Sequence, residues 1–177
     1  MKRQLYWLYK IIEKLIGDDE QKLLHKYFKM QGVKIGENCK VYSNIITSES
    51  YLLTIGDNVT ISGEVLFLTH DNSICKCIKN TTDLFGRIDI GANCFIGARS
   101  ILMYGVTLAD NIIVGAGSVV THSFHEEGII IAGSPAKKIG SVEEFARKMG
   151  KKAWNLNLMT QTEKNDTLCK SSKLVER

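Results

Sequence analysis

The sequence predicts a mainly β chain wound into a coil of short parallel strands. Three observations carry that expectation: an aliphatic residue recurs every sixth position, Asn or Gly fills the fourth position of most hexads, and the 177 residues include a single proline. Read in sixes from Ile90, the chain gives IGANCF, IGARSI, LMYGVT, LADNII, VGAGSV and VTHSFH without a gap. IGENCK and VYSNII from Ile35, and IGDNVT and ISGEVL from Ile55, repeat the pattern in shifted phase. All ten first positions, from Ile35 to Val120, are aliphatic, and all ten fifth positions are small or apolar. Positions five and one across a hexad boundary lie two residues apart, so in an extended chain they face the same side. Each boundary therefore reads as a short strand with that pair turned inward.

The fourth positions make the corners. Seven of the ten are Asn or Gly, the residues that take left-handed dihedrals at least cost. A bend every six residues closes three hexads into one triangular turn, which explains how the chain manages without proline. The segment lacks the 3.6-residue period of a helix. Gly115 and Gly117 lack the third glycine and following helix of a dinucleotide-binding loop. One turn cannot bury its own inner face, so the stacked turns form a single cooperative column.

The ends read otherwise. Leu5, Leu8, Tyr9, Ile12, Leu15 and Ile16 recur at helical spacing and predict an amphipathic helix over residues 4–16, with a second helical stretch around 23–29. Ser141 and Glu144 form a capping box ahead of Val142, Phe145 and Met149 on one helix face. The resulting organisation is a helical segment over 1–32, the coil over 33–140 with a loop at 73–83, a C-terminal helix over 141–154 and a flexible tail over 155–177. The first helix has two readings: a cap that shields the unpaired strand edge at the coil's end, which is preferred, or peripheral contact with an anionic membrane.

Composition narrows the function classes. With 44% hydrophobic and 24% charged residues the chain is an ordinary globular one, and no apolar run reaches a membrane span's length of about 18 residues. Met1, Lys2 and Arg3 open like a signal peptide, but Lys10, Glu13 and Lys14 interrupt the apolar stretch, so cytoplasmic residence is expected. Five cysteines, an odd number, predict free thiols rather than a disulfide framework. Net charge is +4 over residues 1–40, −5 over 41–130 and +5 over 131–177. A nucleic-acid binder would concentrate positive charge on its folded core, so no nucleic-acid partner is expected, and the basic ends suit an anionic ligand or a surface contact.

Chemistry is expected where the repeat fails. The phase set at Ile55 places His70 at a fourth, corner position, and the later phase reaches back to Leu84. Residues 73–83 between them belong to no turn of the coil. His25 falls in a helix, and His122 and His125 stand where the repeat frays, so His70 alone joins coil to loop. Imidazole is the side chain that changes charge between about pH 5 and 8. His70 also reads as a corner residue tolerant of left-handed geometry.

These hexads, the Thr69-His70-Asp71 junction, the loop after it, the VGAGSVV run from Val114 and the AGSPAK run from Ala132 resemble the hexapeptide-repeat acetyltransferases. The resemblance covers residues 33–140 and is greatest to sugar O-acetyltransferases of the galactoside, maltose and capsular or lipopolysaccharide biosynthesis type. It implies a left-handed parallel β-helix with an N-terminal helical cap and a short C-terminal helix, assembled as a homotrimer with active sites between subunits. It implies acetyl-CoA as cosubstrate, no metal, a saccharide or other small-molecule acceptor, and His70 as the catalytic base. Cosubstrate contacts carry over to Ala98, Ala116, Thr121 and Lys137, with Lys138 beside it, and an acceptor contact to Asn44. Two positions depart from the pattern: Phe95 stands where relatives often carry tryptophan, and His122 where lysine is usual. Asp71, next to His70 along an extended chain, points elsewhere and is not expected to orient it. A xenobiotic acceptor and a non-catalytic scaffold are the alternatives. A nucleotide-amino-sugar acetyltransferase would need an N-terminal domain that 32 residues cannot supply.

Overall fold

The computed structural model describes residues 2–17 and 21–175, with side chains from Leu5 onward. Residues 1, 18–20, 176 and 177, part of the expected end segments, lie outside the described residues. The chain divides into two units, residues 1–142 and 143–177.

In the first unit, strands of mostly two or three residues stack in register on three faces. One face holds Lys34–Ile35, Leu53–Ile55, Ile88–Ile90 and Thr107–Leu108. The second holds Lys40–Val41, Thr60–Ile61, Phe95–Ile96, Ile113–Val114 and Ile129–Gly133, and Ala136–Ser141 extends it antiparallel. The third holds Leu66–Phe67, Ile101–Leu102 and Val119–Val120. Ile101 pairs with Val119 and Phe95 with Ile113, each 18 residues on, which is one turn of three hexads. Lys34 pairs with Thr54, so the turn between them holds two extra residues.

Burial follows the hexad. All ten first positions are buried, Ile35 being the most open at 7% exposure, and nine of the ten fifth positions are buried, Phe124 being partly so. Eight of the ten fourth positions have positive φ, including Glu64 and Arg99 at 60°, whose side chains pair across adjacent turns at 2.7 Å. The other two are Asn44 and Ser123. Asn44 is thus not a left-handed corner, contrary to its reading from the pattern.

Glycine at the second position answers to close approach. A Cβ on Gly97 would lie 2.5 Å from the backbone nitrogen of Ala116 in the next turn. Backbone cannot swing aside, so Gly97→Ala should force the turns apart and cost about 1–3 kcal/mol, roughly 2–10 °C in thermal midpoint. Gly63→Ala, where the new Cβ would meet nothing within 4 Å, should leave the midpoint unchanged. Thermal unfolding followed by circular dichroism reads both.

Helix α1 (Lys2–Ile16) turns Tyr6, Tyr9 and Glu13 inward, not the Leu and Ile stripe that its spacing suggests. Tyr9 stacks on Tyr27 at 5.1 Å and Tyr6 on Phe28 at 6.2 Å, both in α2 (Lys22–Met30). The carboxylate of Glu13 accepts the backbone N–H of Leu24 at 2.7 Å, supplying the anion that a helix N-terminus favours. Burial, helped by the charge of Glu13, pushes the Tyr6 phenol up to about 12. Leu24, Tyr27 and Phe28 join the core with Val33 and Ile35, and Gln21 accepts the N–H of Val41 on the coil's first strand edge at 2.7 Å. It is therefore α2 with Gln21 that meets the end of the coil.

All five cysteines are free. Cys39 and Cys94 are buried and donate to the carbonyls of Gly56 and Ala109, and burial pushes the Cys94 thiol up to about 11. In the second unit, Glu143 to Met149 continue a helix, α3, that begins at Val142, and a further helix, α4 (Gln161–Cys169), lies within the stretch expected to be a flexible tail. The reason is local: Thr160 and Glu163 form a reciprocal capping box.

Candidate active site

The strand Leu66–Phe67 runs into Leu68 and Thr69, and side chains alternate from there. Thr69 points into the core with no exposure, and His70 points out, its side chain 42% exposed. His70 is not a corner residue. It lies in a two-residue strand with Asp71, paired antiparallel to Leu84–Phe85, so that His70 faces Phe85. The loop at 73–83 is thus carried on a short ribbon, with the N–H of Gly86 closing onto the carbonyl of Thr69 at 3.0 Å.

A carboxylate that the hexad pattern does not single out meets the imidazole. Glu49 Oε2 lies 2.7 Å from His70 Nδ1 and also accepts the Thr69 hydroxyl at 2.9 Å. Glu49 lies in residues 47–54, which hold one hexad's worth of chain plus two extra residues. That second break in the repeat was the signal available for it. The segment is fastened by the Ser50 hydroxyl, which donates to the carbonyl of Gln31 just beyond α2.

The direction of each proton follows from the donors available. Burial works against the charge of Glu49, but hydrogen bonds from His70 and Thr69 and the proximity of His70 hold its carboxyl below the usual range. An ionised carboxylate only accepts, so Nδ1 carries the hydrogen and Nε2 is the ring's basic atom. Thr69 spends its one proton on Glu49, so Thr47, in contact with the Thr69 hydroxyl, donates to it. Donors from Thr47 through Thr69 on one side and from His70 on the other thus converge on the Glu49 carboxylate, leaving Nε2 of the ring with its lone pair. As expected, Asp71 points elsewhere, accepting the Ser73 N–H at 2.8 Å and the Tyr104 hydroxyl at 3.3 Å. The hydrogen bonds from Ser73 are the main cause of its lowered carboxyl pKa.

His70 opens onto a cleft of about 320 Å³ lined by Ile46, Thr47, Ser48, Phe67, Leu68 and Thr69. The ring of Phe85, 6.0 Å from the imidazole, stands beside it. A second groove, about 540 Å³, runs along the stacked corners Gly63, Glu64, Ala98, Arg99, Ala116 and Gly117. A third recess of about 410 Å³ lies along α2. Of the three, only the first is lined by an imidazole hydrogen-bonded to a carboxylate. Among the described residues no group of three or more His, Cys, Asp or Glu is placed to hold a metal ion.

The hexads also match known proteins. The family model for the hexapeptide repeat of succinyl-transferase matches residues 87–122. Protein CapG of Staphylococcus aureus is 38% identical over 123 residues, which cover 67% of this chain and 71% of CapG. The chain belongs to the hexapeptide-repeat acetyltransferase family. Galactoside O-acetyltransferase of Escherichia coli K12 is 30% identical over 113 residues, covering 63% of this chain and about half of that protein, 55%. A galactoside acetyltransferase in complex with coenzyme A shares the fold with TM-score 0.50 at 22% identity, over 73% of this chain and 74% of that one. A maltose O-acetyltransferase from Clostridium difficile 630 shares it with TM-score 0.57 at 23% identity, over 79% of this chain and 87% of that one. The resemblance read from the sequence to galactoside- and maltose-type enzymes is borne out.

In this acetyltransferase the remaining candidate residues fall into three places. Ala98 and Ala116 line the same corner groove, where the N–H of Gly117 donates to the carbonyl of Ala98 at 2.8 Å. Thr121 is exposed after the third-face strand Val119–Val120, its hydroxyl 3.4 Å from His122 Nδ1. Lys137 and Lys138 lie on the antiparallel strand after Pro135. Lys138 pairs with Glu126 at 2.5 Å, and Lys137, opposite Ala132 in the ladder, forms no ion pair among the described residues. Asn44 Nδ2 is buried with no hydrogen-bond partner.

Proposed function

We propose that the chain transfers an acetyl group from acetyl-CoA to a hydroxyl of a saccharide or saccharide-linked acceptor, with His70 as general base. The observation that carries this reading is the 2.7 Å contact between Glu49 and Nδ1, which leaves Nε2 as the basic nitrogen of a ring that lines the cleft. Nε2 takes the proton of an acceptor hydroxyl as that oxygen bonds to the thioester carbonyl carbon. When the C–S bond breaks, the imidazolium gives the same proton to the departing thiolate. Glu49 fixes the tautomer and stabilises the imidazolium between the two steps. The galactoside and maltose O-acetyltransferases among its relatives support a saccharide acceptor, and the coenzyme A complex of a galactoside acetyltransferase supports the donor.

The rest of the assignment follows from that reading. The pantetheine arm runs past the small residues Ala98 and Ala116, and Thr121 and Lys137 reach the far end of the cosubstrate, where lysine suits phosphate as a point charge. Asn44 is the acceptor contact that the resemblance implies. The open cleft at His70 is completed by a neighbouring copy in a homotrimer, and the enzyme works in the cytoplasm, where acetyl-CoA is available. α1 and α2 form the helical cap.

Lys137→Ala should raise the KM for acetyl-CoA about tenfold with little change in kcat, the scale of one hydrogen bond to a charged group. Lys138→Ala, whose ammonium is already paired with Glu126, should change it far less. Steady-state kinetics with detection of the released thiol checks both. The function itself is tested by offering acetyl-CoA with a panel of saccharides, saccharide-linked intermediates and hydroxylated or amine-bearing xenobiotics. Thiol release with a saccharide hydroxyl is the expected result. Turnover with xenobiotics alone, or no binding of acetyl-CoA by calorimetry, overturns it.

A further inference from the structure

The end of the coil is met by α2 and Gln21, which leaves the outer side of α1 without a role in the fold. Trp7, Leu8, Ile11, Leu15 and Ile16 are 51–80% exposed there. At about 100° per residue Trp7, Leu8, Ile11 and Leu15 fall within about 100° of one another, away from the inward Tyr6 and Glu13, and Ile16 adjoins them at the helix's last position. Half-exposed side chains of this size show on the order of 100 Å² each. Five of them reach the upper end of the roughly 300–600 Å² found for the largest apolar patch on an ordinary monomer. An apolar face of this extent on one helix is an interaction surface.

Charge decides what fits it. Among the residues of α1 with described side chains, the one acid, Glu13, is buried against Leu24. Lys14 is exposed, and Lys10 lies 5.4 Å from the ring of Tyr42. On α2, Lys22, Lys26 and Lys29 share one helix face and line the recess of about 410 Å³ with His25, Met30 and Glu37. The one acid there, Glu37, lies 3.7 Å from Lys29. Lysine is depleted at protein–protein interfaces, and a second copy docked face to face would set these lysines against their equivalents. A bilayer suits both features: acyl chains accept the apolar side, anionic headgroups accept the ammonium groups, and flexible lysine stems reach up to them.

We propose that the α1–α2 pair is a docking surface for an anionic lipid bilayer, with the outer face of α1 lying in the headgroup region. Docking is independent of the transfer chemistry proposed above, and its test does not read activity. The full chain is floated with vesicles of phosphatidylcholine alone or with added phosphatidylglycerol. The expected result is binding to the phosphatidylglycerol vesicles, at least about tenfold weaker binding to phosphatidylcholine alone, and loss as salt is raised. The triple variant Trp7→Glu, Ile11→Glu, Leu15→Glu should lose vesicle binding at least about tenfold. These side chains are exposed, so its thermal midpoint should hold. Lys26→Glu with Lys29→Glu should weaken only the phosphatidylglycerol-dependent part. No binding to anionic vesicles, or equal binding to both kinds, overturns the proposal. So does a fall in the sedimenting mass of the triple variant without lipid, which would assign the face to a second copy.

Discussion

Replacing His70 by alanine should lower kcat for acetyl transfer by roughly 10²–10⁴, the contribution of a positioned general base. The fold should not notice. The side chain is 42% exposed, with the Glu49 carboxylate at 2.7 Å and the tilted ring of Phe85 beside it. Glu49 would keep the Thr69 hydroxyl and gain water in place of the ring. Thermal midpoint and acetyl-CoA affinity should therefore match the parent while turnover collapses. That split separates a catalytic role from a structural one: a histidine kept for packing would move the midpoint, and one kept for cosubstrate binding would move the dissociation constant. Thiol release measured at saturating acetyl-CoA, beside calorimetry on the same preparations, gives all three quantities. Near-parental turnover would falsify the assignment of the base.

Glu49→Gln should come next in size, about 10²-fold in kcat. Neutralising the carboxylate of a buried serine-protease triad costs about 10⁴, but Glu49 is 15% exposed, so water can replace part of what is lost. The pH dependence carries the sharper expectation. An imidazole base works only when neutral, so activity falls on the acid side. Hydrogen bonds from His70 and Thr69 outweigh burial and hold the Glu49 carboxyl below its usual range. Glu49 therefore stays ionised across the pH range in which an imidazole titrates, and adds no limb of its own there. The positive charge of a protonated His70 favours ionised Glu49. With the tautomer of His70 no longer fixed, glutamine in place of Glu49 should lower kcat and leave the KM for acetyl-CoA unchanged. A merely structural Glu49 would instead lower the thermal midpoint when replaced, which the same preparations report.

The coil was legible because its physics is periodic. An inward position every sixth residue, a left-handed corner and a glycine crowded by the next turn each leave a mark that a single sequence can show. Glu64 and Arg99 show how strongly the stack dictates backbone: neither favours positive φ, yet both adopt 60° and pair with each other at the corner. The same periodicity misled at Asn44 and His70. Both occupy fourth positions by count, but inserted chain nearby frees them from the corner, and His70 enters an antiparallel ribbon instead. Glu49 could not be found by spacing, because its partner lies 21 residues away across adjacent turns. Only the two extra residues around it marked the place. The inward face of α1 was hidden for a different reason. Its Leu and Ile residues make the more apolar stripe, but Tyr6 and Tyr9 have aromatic partners on α2, and Glu13 satisfies that helix's N-terminus. Specific partners outweighed the greater apolar area of the other side.

A crystal structure of the full chain with acetyl-CoA tests the central claim most directly. The thioester carbonyl carbon should lie in the cleft between Thr47, Phe67 and His70, with space for a hydroxyl oxygen about 3–3.5 Å from both that carbon and Nε2. A cosubstrate whose acyl group ends in the Ala98–Ala116 groove, beyond reach of any imidazole, would contradict it.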